Sequence, residues 1–286
     1  MLITVCIPFY NDDLFLEKAI LSVLNQTYKD WLLILLHDGG TDGSLSIAQK
    51  FTYDPRIKLI SDGKNRGLIY RLNQSVEMAR TKYYARMDAD DIMHPERIKR
   101  QLEILEKNEH IDVLGTAAYS IDKDDRIRGV RGKYDNELIP CKGFIHPSIT
   151  GRTSWFKTNK YNSLAERFED YELWRRTAHT SSFYTINEPL LYYREYGGEY
   201  YKKYIKTFNS SLRYCINSPH ANYFRNIGFS FMNLIKGVCV YFLYLFKCED
   251  YLIKKRFNPI SSSAEYYKAR LNLEKSQLKP NEKKNN

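Results

Sequence analysis

Asp88-Ala89-Asp90-Asp91 puts three carboxylates within four residues, directly after the apolar and aromatic run Tyr83-Tyr84-Ala85 and Arg86-Met87. Carboxylate oxygens are the ligands a hard divalent ion takes when the rest of its shell comes from a diphosphate and water. A strand that runs into Asp-x-Asp carries two acids to the carboxyl edge of a sheet, where open α/β folds bind their ligands. Pro95 then opens a periodic helix through Ile98, Leu102 and Leu105. The acids would therefore also suit the electropositive first turn of a helix, and the motif alone leaves both readings open. A second acidic pair, Glu169-Asp170, precedes Tyr-Glu-Leu-Trp174-Arg-Arg. It too can be read as the acidic start of a helix. A carboxylate within hydrogen-bond reach of a hydroxyl is also what a general base requires.

The elements that must position these acids are legible upstream. Leu2–Ile7 is an apolar strand broken by Pro8-Phe9-Tyr10-Asn11-Asp12, and a helix follows with Leu16, Ile20, Val23 and Leu24 near the 3.6 period. Trp31–Leu36 is a second buried strand, closed by His37-Asp38-Gly39-Gly40-Thr41-Asp42-Gly43-Ser44. Residues 45–51 read as helix and Ile57–Ile60 as a third strand. The loop Asp62-Gly-Lys-Asn65-Arg66-Gly67 leads into a helix carrying Leu72, Val76 and Ala79. Strands alternating with helices predict a parallel sheet with right-handed crossovers. In such a sheet the loops after Ile7, Leu36, Ile60 and Met87 leave from one edge, so three polar loops converge on Asp-x-Asp as at a nucleotide site.

Taken in order, these segments resemble the inverting family 2 glycosyltransferases of the GT-A fold. They are Val5-Cys-Ile-Pro8-Phe-Tyr10-Asn11, Leu24-Asn-Gln-Thr-Tyr28, Asp38–Ser44, Asn65-Arg-Gly67 and Ala85–Asp91 with Pro95, then His146-Pro-Ser, Arg167–Trp174 and Glu188–Arg194. The resemblance covers roughly residues 1–196 and is nearest the bacterial branch that builds O-antigen or capsule units on a lipid diphosphate. The second loop departs from the family pattern, with His37 in place of the first acid and Gly40 in place of serine.

The resemblance implies an α/β fold with a mixed, mainly parallel sheet flanked by helices. It further implies that Pro8, Tyr10, Asn11, Asp38, Asn65, Arg66, Gly67, Arg86, Asp88 and Ala89 hold a UDP-sugar, and that Asp90 with Asp88 coordinates Mn²⁺ or Mg²⁺. Asp170, ahead of Glu169, would be the base. His146 and Trp174 would line the acceptor site, and Tyr192-Tyr-Arg194 with Tyr196–Tyr201 would wall it. The transferred sugar would be a hexose, galactose before glucose, with N-acetylhexosamines as the alternative. The acceptor would be a saccharide on a polyprenyl diphosphate.

Composition fits that picture. A chain of 286 residues suffices for one α/β domain, expected over 1–200. Its five cysteines show no zinc-type spacing and read as reduced thiols of the cytoplasm. The formal charge of +10 is concentrated in residues 201–286, which hold 16 Lys and Arg against 5 Asp and Glu. Such a tail suits nucleic acid or anionic lipid, but it carries no nucleic-acid-reading motif, and no nucleic-acid partner is expected. Within it Phe229–Phe246 is apolar and aromatic, with Lys236 at its middle and basic residues at its edges: Arg225, Lys247 and Lys254-Lys255-Arg256. Eighteen residues is near the lower limit for crossing a bilayer. A short apolar run can equally be a buried core helix, so the run alone leaves both open. Its basic edges fit best a helical region over 201–275 lying on the anionic cytoplasmic face of the inner membrane. A disordered stretch is expected over 276–286.

Overall fold

Four of the apolar runs form the parallel half of one sheet in the computed structural model of the chain, which describes residues 1–132, 138–141, 143–195, 200–217, 223–246, 248 and 256–280. Strands β1 (Ile3–Phe9), β2 (Trp31–His37), β3 (Ile57–Ser61) and β4 (Tyr83–Arg86) lie in the order β3-β2-β1-β4, all parallel. The crossovers are α1 (Leu16–Leu24), α2 (Ser44–Gln49) and α3 (Leu68–Met78). Alternation along β1 explains why its run is apolar throughout. Ile3, Val5 and Ile7 pack with Leu16, Ala19 and Ile20 of α1 on one face. Cys6 packs with Leu72 and Val76 of α3 on the other.

The second half makes the sheet mixed. After β5 (Ile92–Met93) and α4 (Arg97–Lys107) come β6 (Val113–Ile121), β7 (Ile127–Arg131), β8 (Leu138–Pro140) and β9 (Thr150–Arg152). Helices α5 (Thr153–Thr158) and α6 (Glu169–Thr177) then lead to β10 (Phe183–Arg194). Strand β9 runs antiparallel to both β4 and β6, and β10 runs parallel to β6 and antiparallel to β5. Ten strands result among the described residues. Arg97, wholly buried at the start of α4, donates to the carbonyls of Arg86 and Ile149 at 3.0 and 3.1 Å. It thereby fixes the end of β4, from which the acidic motif departs.

The C-terminal region divides differently from the expectation. Helices α7 (Tyr200–Asn217) and α8 (Tyr223–Leu245) pack antiparallel, with Tyr201 on Tyr241 and Phe208 on Phe231. On α8, Phe231, Ile235, Val238, Phe242 and Leu245 are all exposed. They repeat every three or four residues and so form one stripe. Ile227–Leu245, 19 residues, is long and apolar enough to cross a membrane. Helix α9 (Ser263–Ser276) instead returns to the sheet. Ala269 and Leu273 pack with Ile92, Tyr119 and Tyr192, and Asn25 donates to the carbonyls of Ser276 and Leu278 at 2.9 Å each. The basic region is thus not one unit to 275. The stretch expected to be disordered from Ser276 is docked on α1 through Leu278, and residues 281–286 lie outside the described residues. So do Tyr196, Gly197, Gly198 and Glu199 of the expected wall, and Lys247, Lys254, Lys255 and the Arg225 side chain of the expected basic edges.

Candidate active site

The carboxyl ends of β1, β2 and β3 send their loops into one cleft of about 1360 Å³, lined by Pro8, Tyr10, Asp38, Asn65, Arg66, Gly67, Asp88, Ala89 and Asp90, with Arg167 and Glu169 on its wall. The loops are tied together before any ligand arrives. Both Asp38 oxygens are engaged: they accept the Arg66 amide at 2.8 Å, the Gly67 amide at 3.0 Å and Arg71 Nε at 2.8 Å. Asp38 therefore shapes the Asn65–Gly67 turn that borders the cleft.

Asn11, expected to touch the nucleotide, plays a similar part. It does not line the cleft, and its Oδ1 accepts the Thr41 amide at 2.8 Å. A side chain at Gly40 would put its Cβ 2.6 Å from that oxygen, which accounts for glycine where the family pattern has serine. His37, in place of an acid, is buried against Phe9 with Nδ1 at 2.8 Å from Ser61 Oγ, and it lines none of the cleft.

At the floor, carboxylate oxygens of Asp88, Asp90 and Asp91 gather within 4.8 Å of one another. Asp91 is fully buried; one oxygen accepts the Arg194 amide and the other has no hydrogen-bond partner. Burial, then the charges of Asp88 and Asp12, push the Asp90 carboxyl up to about 7. Hard oxygen donors, mutual repulsion and an unsatisfied buried oxygen are what a divalent cation of the Mg²⁺ or Mn²⁺ type would relieve. Asp12, absent from the sequence expectations, lines the cleft beside this group, and its own pKa is raised by burial. Arg86 lies buried behind the acids rather than in the cleft. Its Nη2 donates to Asp88, and Asp88, Tyr161, Glu169 and Asp170 together keep it charged against the effect of burial.

The first turn of α6 separates the second acidic pair. Glu169 faces the cleft, whereas Asp170 lines a neighbouring cavity of about 310 Å³ with Tyr171, Lys203, Tyr204 and Phe229. Burial raises both carboxyls, that of Glu169 to about 7. A carboxylate raised from the ordinary range and set in a cavity of its own is suited to taking a proton from a hydroxyl.

Three expectations are corrected. His146 and Trp174 are not at the acceptor side but in the core. His146 Nε2 lies 2.8 Å from Tyr161 Oη, burial holds its pKa well below the usual value, and Trp174 packs edge-on to it. Tyr192 of the expected wall is also core, its hydroxyl donating to the Ala269 carbonyl at 2.6 Å. Tyr193, Arg194 and Tyr200 do border the site, in a cavity of about 330 Å³ beside Asp88 and Asp90.

A sequence profile described as Glycosyl transferase family 2 matches residues 4–184. EpsE of Bacillus subtilis (strain 168), a protein named as a glycosyltransferase, is 38% identical over 186 residues, covering 61% of this chain and 66% of EpsE, just under two thirds of its length. An uncharacterized glycosyltransferase of Haemophilus influenzae is 30% identical over 245 residues, covering 79% of this chain and 76% of that protein. Among solved structures, residues 1–349 of S. aureus TarS in complex with UDP match with a TM-score of 0.59 at 16% identity, covering 79% of this chain and 68% of that one. A likeness at that identity speaks for the fold.

Proposed function

The chain belongs to glycosyl transferase family 2, and on that premise we propose that it is an inverting, metal-dependent transferase moving a hexose from a UDP-sugar to a saccharide on a polyprenyl diphosphate. The observation that carries the reading is the division of labour at α6: Glu169 faces the cleft of the converging loops, and Asp170 faces a separate cavity beside it. A donor in the first and an acceptor hydroxyl in the second would meet at the boundary between two acids adjacent in sequence. TarS, of the same fold, has been solved with UDP and with UDP-GlcNAc, which supports a nucleotide-sugar donor.

In this reading Pro8, Tyr10 and the Asn65–Gly67 turn hold the uridine, and Asp38 and Arg71 keep that turn in shape. Asp88 and Asp90, with Asp91 behind them, would hold Mn²⁺ or Mg²⁺. Such an ion supplies Lewis-acid stabilisation of the departing diphosphate when bound. Asp170 takes the proton of the acceptor hydroxyl as that oxygen attacks the anomeric carbon from the face opposite the diphosphate. The C1–O bond to phosphate breaks as the new glycosidic bond forms, and this single displacement inverts the centre. Galactose ahead of glucose, and an O-antigen or capsule repeat unit, follow from the family resemblance. The exposed stripe of α8 supports a peripheral position on the cytoplasmic face of the membrane. The full-length protein with Mn²⁺, a sugar-bearing prenyl diphosphate and UDP-Gal, UDP-Glc, UDP-GlcNAc or UDP-GalNAc should yield a β-linked product from a hexose donor. Product of retained configuration, or no transfer from any of the four, would overturn the proposal.

A further inference from the structure

Three cations gather beside the acids, two of them outside the cleft of the converging loops. Lys203 and Arg256 border the cavity next to Asp88 and Asp90, and with Arg167 they line the cavity that holds Asp170. They come from distant parts of the chain: just before α6, the first turn of α7, and the segment between α8 and α9. The buried ring of Tyr200 brings two of them together, its centroid 5.1 Å from Lys203 Nζ and 4.6 Å from the Arg256 guanidinium carbon. Cation–π attraction holds each charge to the ring, but like charges repel, and an anion in a cavity that both line would relieve that repulsion.

On the side facing Asp88 and Asp90 these cations meet acids, but on the side of the Asp170 cavity the protein supplies little negative charge. Glu195 is 3.8 Å from Arg256, yet its Oε1 already receives Arg131 at 3.0 Å and its Oε2 the Ser120 hydroxyl at 2.7 Å. Among the residues lining the Asp170 cavity, Asp170 is the sole acid against three cations. Arg167 holds a left-handed backbone with φ of 75°, a conformation that non-glycine residues adopt at a cost and that clusters at functional sites. Of this cavity's lining, only Arg167 is shared with the nucleotide cleft. Its other walls include Tyr204 of α7 and Phe229 and Asn233 of α8, and α8 continues from there into the exposed apolar stripe.

Resting on the transferase reading above, we infer that Arg167, Lys203 and Arg256 form a phosphate site for the acceptor, receiving the anionic group that joins its saccharide to its lipid while a sugar hydroxyl meets Asp170. Guanidinium and ammonium donors converging from three sides match phosphate oxygens. The α8 stripe gives the attached chain an apolar path. The same phosphate chemistry could come from the donor diphosphate, and the test separates the two.

Farnesyl diphosphate serves as a soluble acceptor-like probe, farnesol as its uncharged counterpart, and UDP with Mn²⁺ as the donor-side probe, each titrated calorimetrically into the full-length protein. The wild type should bind farnesyl diphosphate well ahead of farnesol. Lys203→Gln and Arg256→Gln should each weaken farnesyl diphosphate about tenfold, the loss of one charge-assisted contact, and leave UDP unchanged. UDP binding by the variants also reports that they are folded. Parallel loss of UDP would assign the cations to the donor diphosphate, and equal binding of farnesol, or no effect of either variant, would leave only an apolar groove; each overturns the inference. Failure of the wild type to bind UDP would instead sink the transferase reading, whatever the prenyl probe does.

Discussion

Glu169 and Asp170 differ by one methylene and one position, and the start of α6 gives them different surroundings. If Asp170 is the base, Asp170→Asn should lower turnover by about 10²–10⁴-fold with UDP affinity retained, whereas Glu169→Gln should act chiefly on donor affinity. The reverse pattern would move the base to Glu169. The pH profile follows from the direction of the Asp170 shift, upward through burial. The base works only when ionised, so kcat should fall as pH drops through the raised carboxyl value and level off above it, and the Asn variant should lack that limb. At the floor of the cleft, Asp90→Ala or EDTA should abolish transfer, with Mn²⁺ restoring the wild type alone; full turnover in EDTA would remove the metal from the reading. The acids were legible in the sequence because Asp-x-Asp and Glu-Asp stand at element ends. Asn11 and Asp38 were legible as important but not as loop ties, since a hydrogen-bond partner 30 or 33 residues away leaves no mark in spacing. His146 and Trp174 failed as acceptor residues because a motif match does not say which side of a sheet a ring is on.

Periodicity carried the first half of the sheet, because β1 to β4 are apolar runs joined by amphipathic helices. The second half is harder to read. A two-residue strand such as β5 has no period, and β10 pairs with three different strands and is broken in register around Pro189. Helix α9 did leave a signal, since Ser262 three residues before Glu265 fits a capping box and the Ser262 hydroxyl accepts the Glu265 amide at 3.1 Å. What spacing did not show is that this helix seals the sheet edge next to His94. His94 is buried, its Nδ1 accepting the Glu96 amide at 3.2 Å and its Nε2 2.9 Å from the Asn272 side chain of α9. Burial, with a smaller effect of Lys268, lowers its pKa to about 4. A histidine whose folded value lies below its unfolded value of about 6.5 stabilises the fold fully above that unfolded value. The contribution is lost as pH falls from about 6.5 towards 4, up to about 3 kcal/mol for a group this buried. Raised carboxyls such as Asp90 and Glu169 act in the opposite sense, so the comparison must be between variants. Urea unfolding at pH 7.5 and pH 5 should show a steeper acid loss in the wild type than in His94→Asn. Equal slopes would mean that His94 does not anchor α9 in its neutral form.

At the scale of the molecule, the positive tail resolves into two uses: α9 completes the sheet domain, and the α7–α8 hairpin presents an apolar stripe outside it. Truncating the chain near residue 210 would remove both at once, so loss of membrane binding by such a fragment would say nothing about the stripe. Substitution within it is cleaner. Ile235, Phe242 and Leu245 are 63%, 55% and 53% exposed and none is in the buried core, so glutamine there, a good helix former, leaves the packing of the hairpin in place. Burying a side chain of this class in an apolar phase is worth about 1.5–3 kcal/mol when complete, so three such changes should detach the protein from vesicles containing anionic lipid while leaving UDP affinity intact. Lys236, exposed within the same helix, favours a helix lying among headgroups over one that crosses the bilayer. Attraction to the leaflet is screened over about 10 Å at 0.1 M salt, so raising salt should release part of the wild type and the apolar contact should retain the rest. Vesicle binding by the triple variant equal to that of the wild type would mean that α8 meets something other than lipid, and the membrane position would be withdrawn with the transferase chemistry untouched.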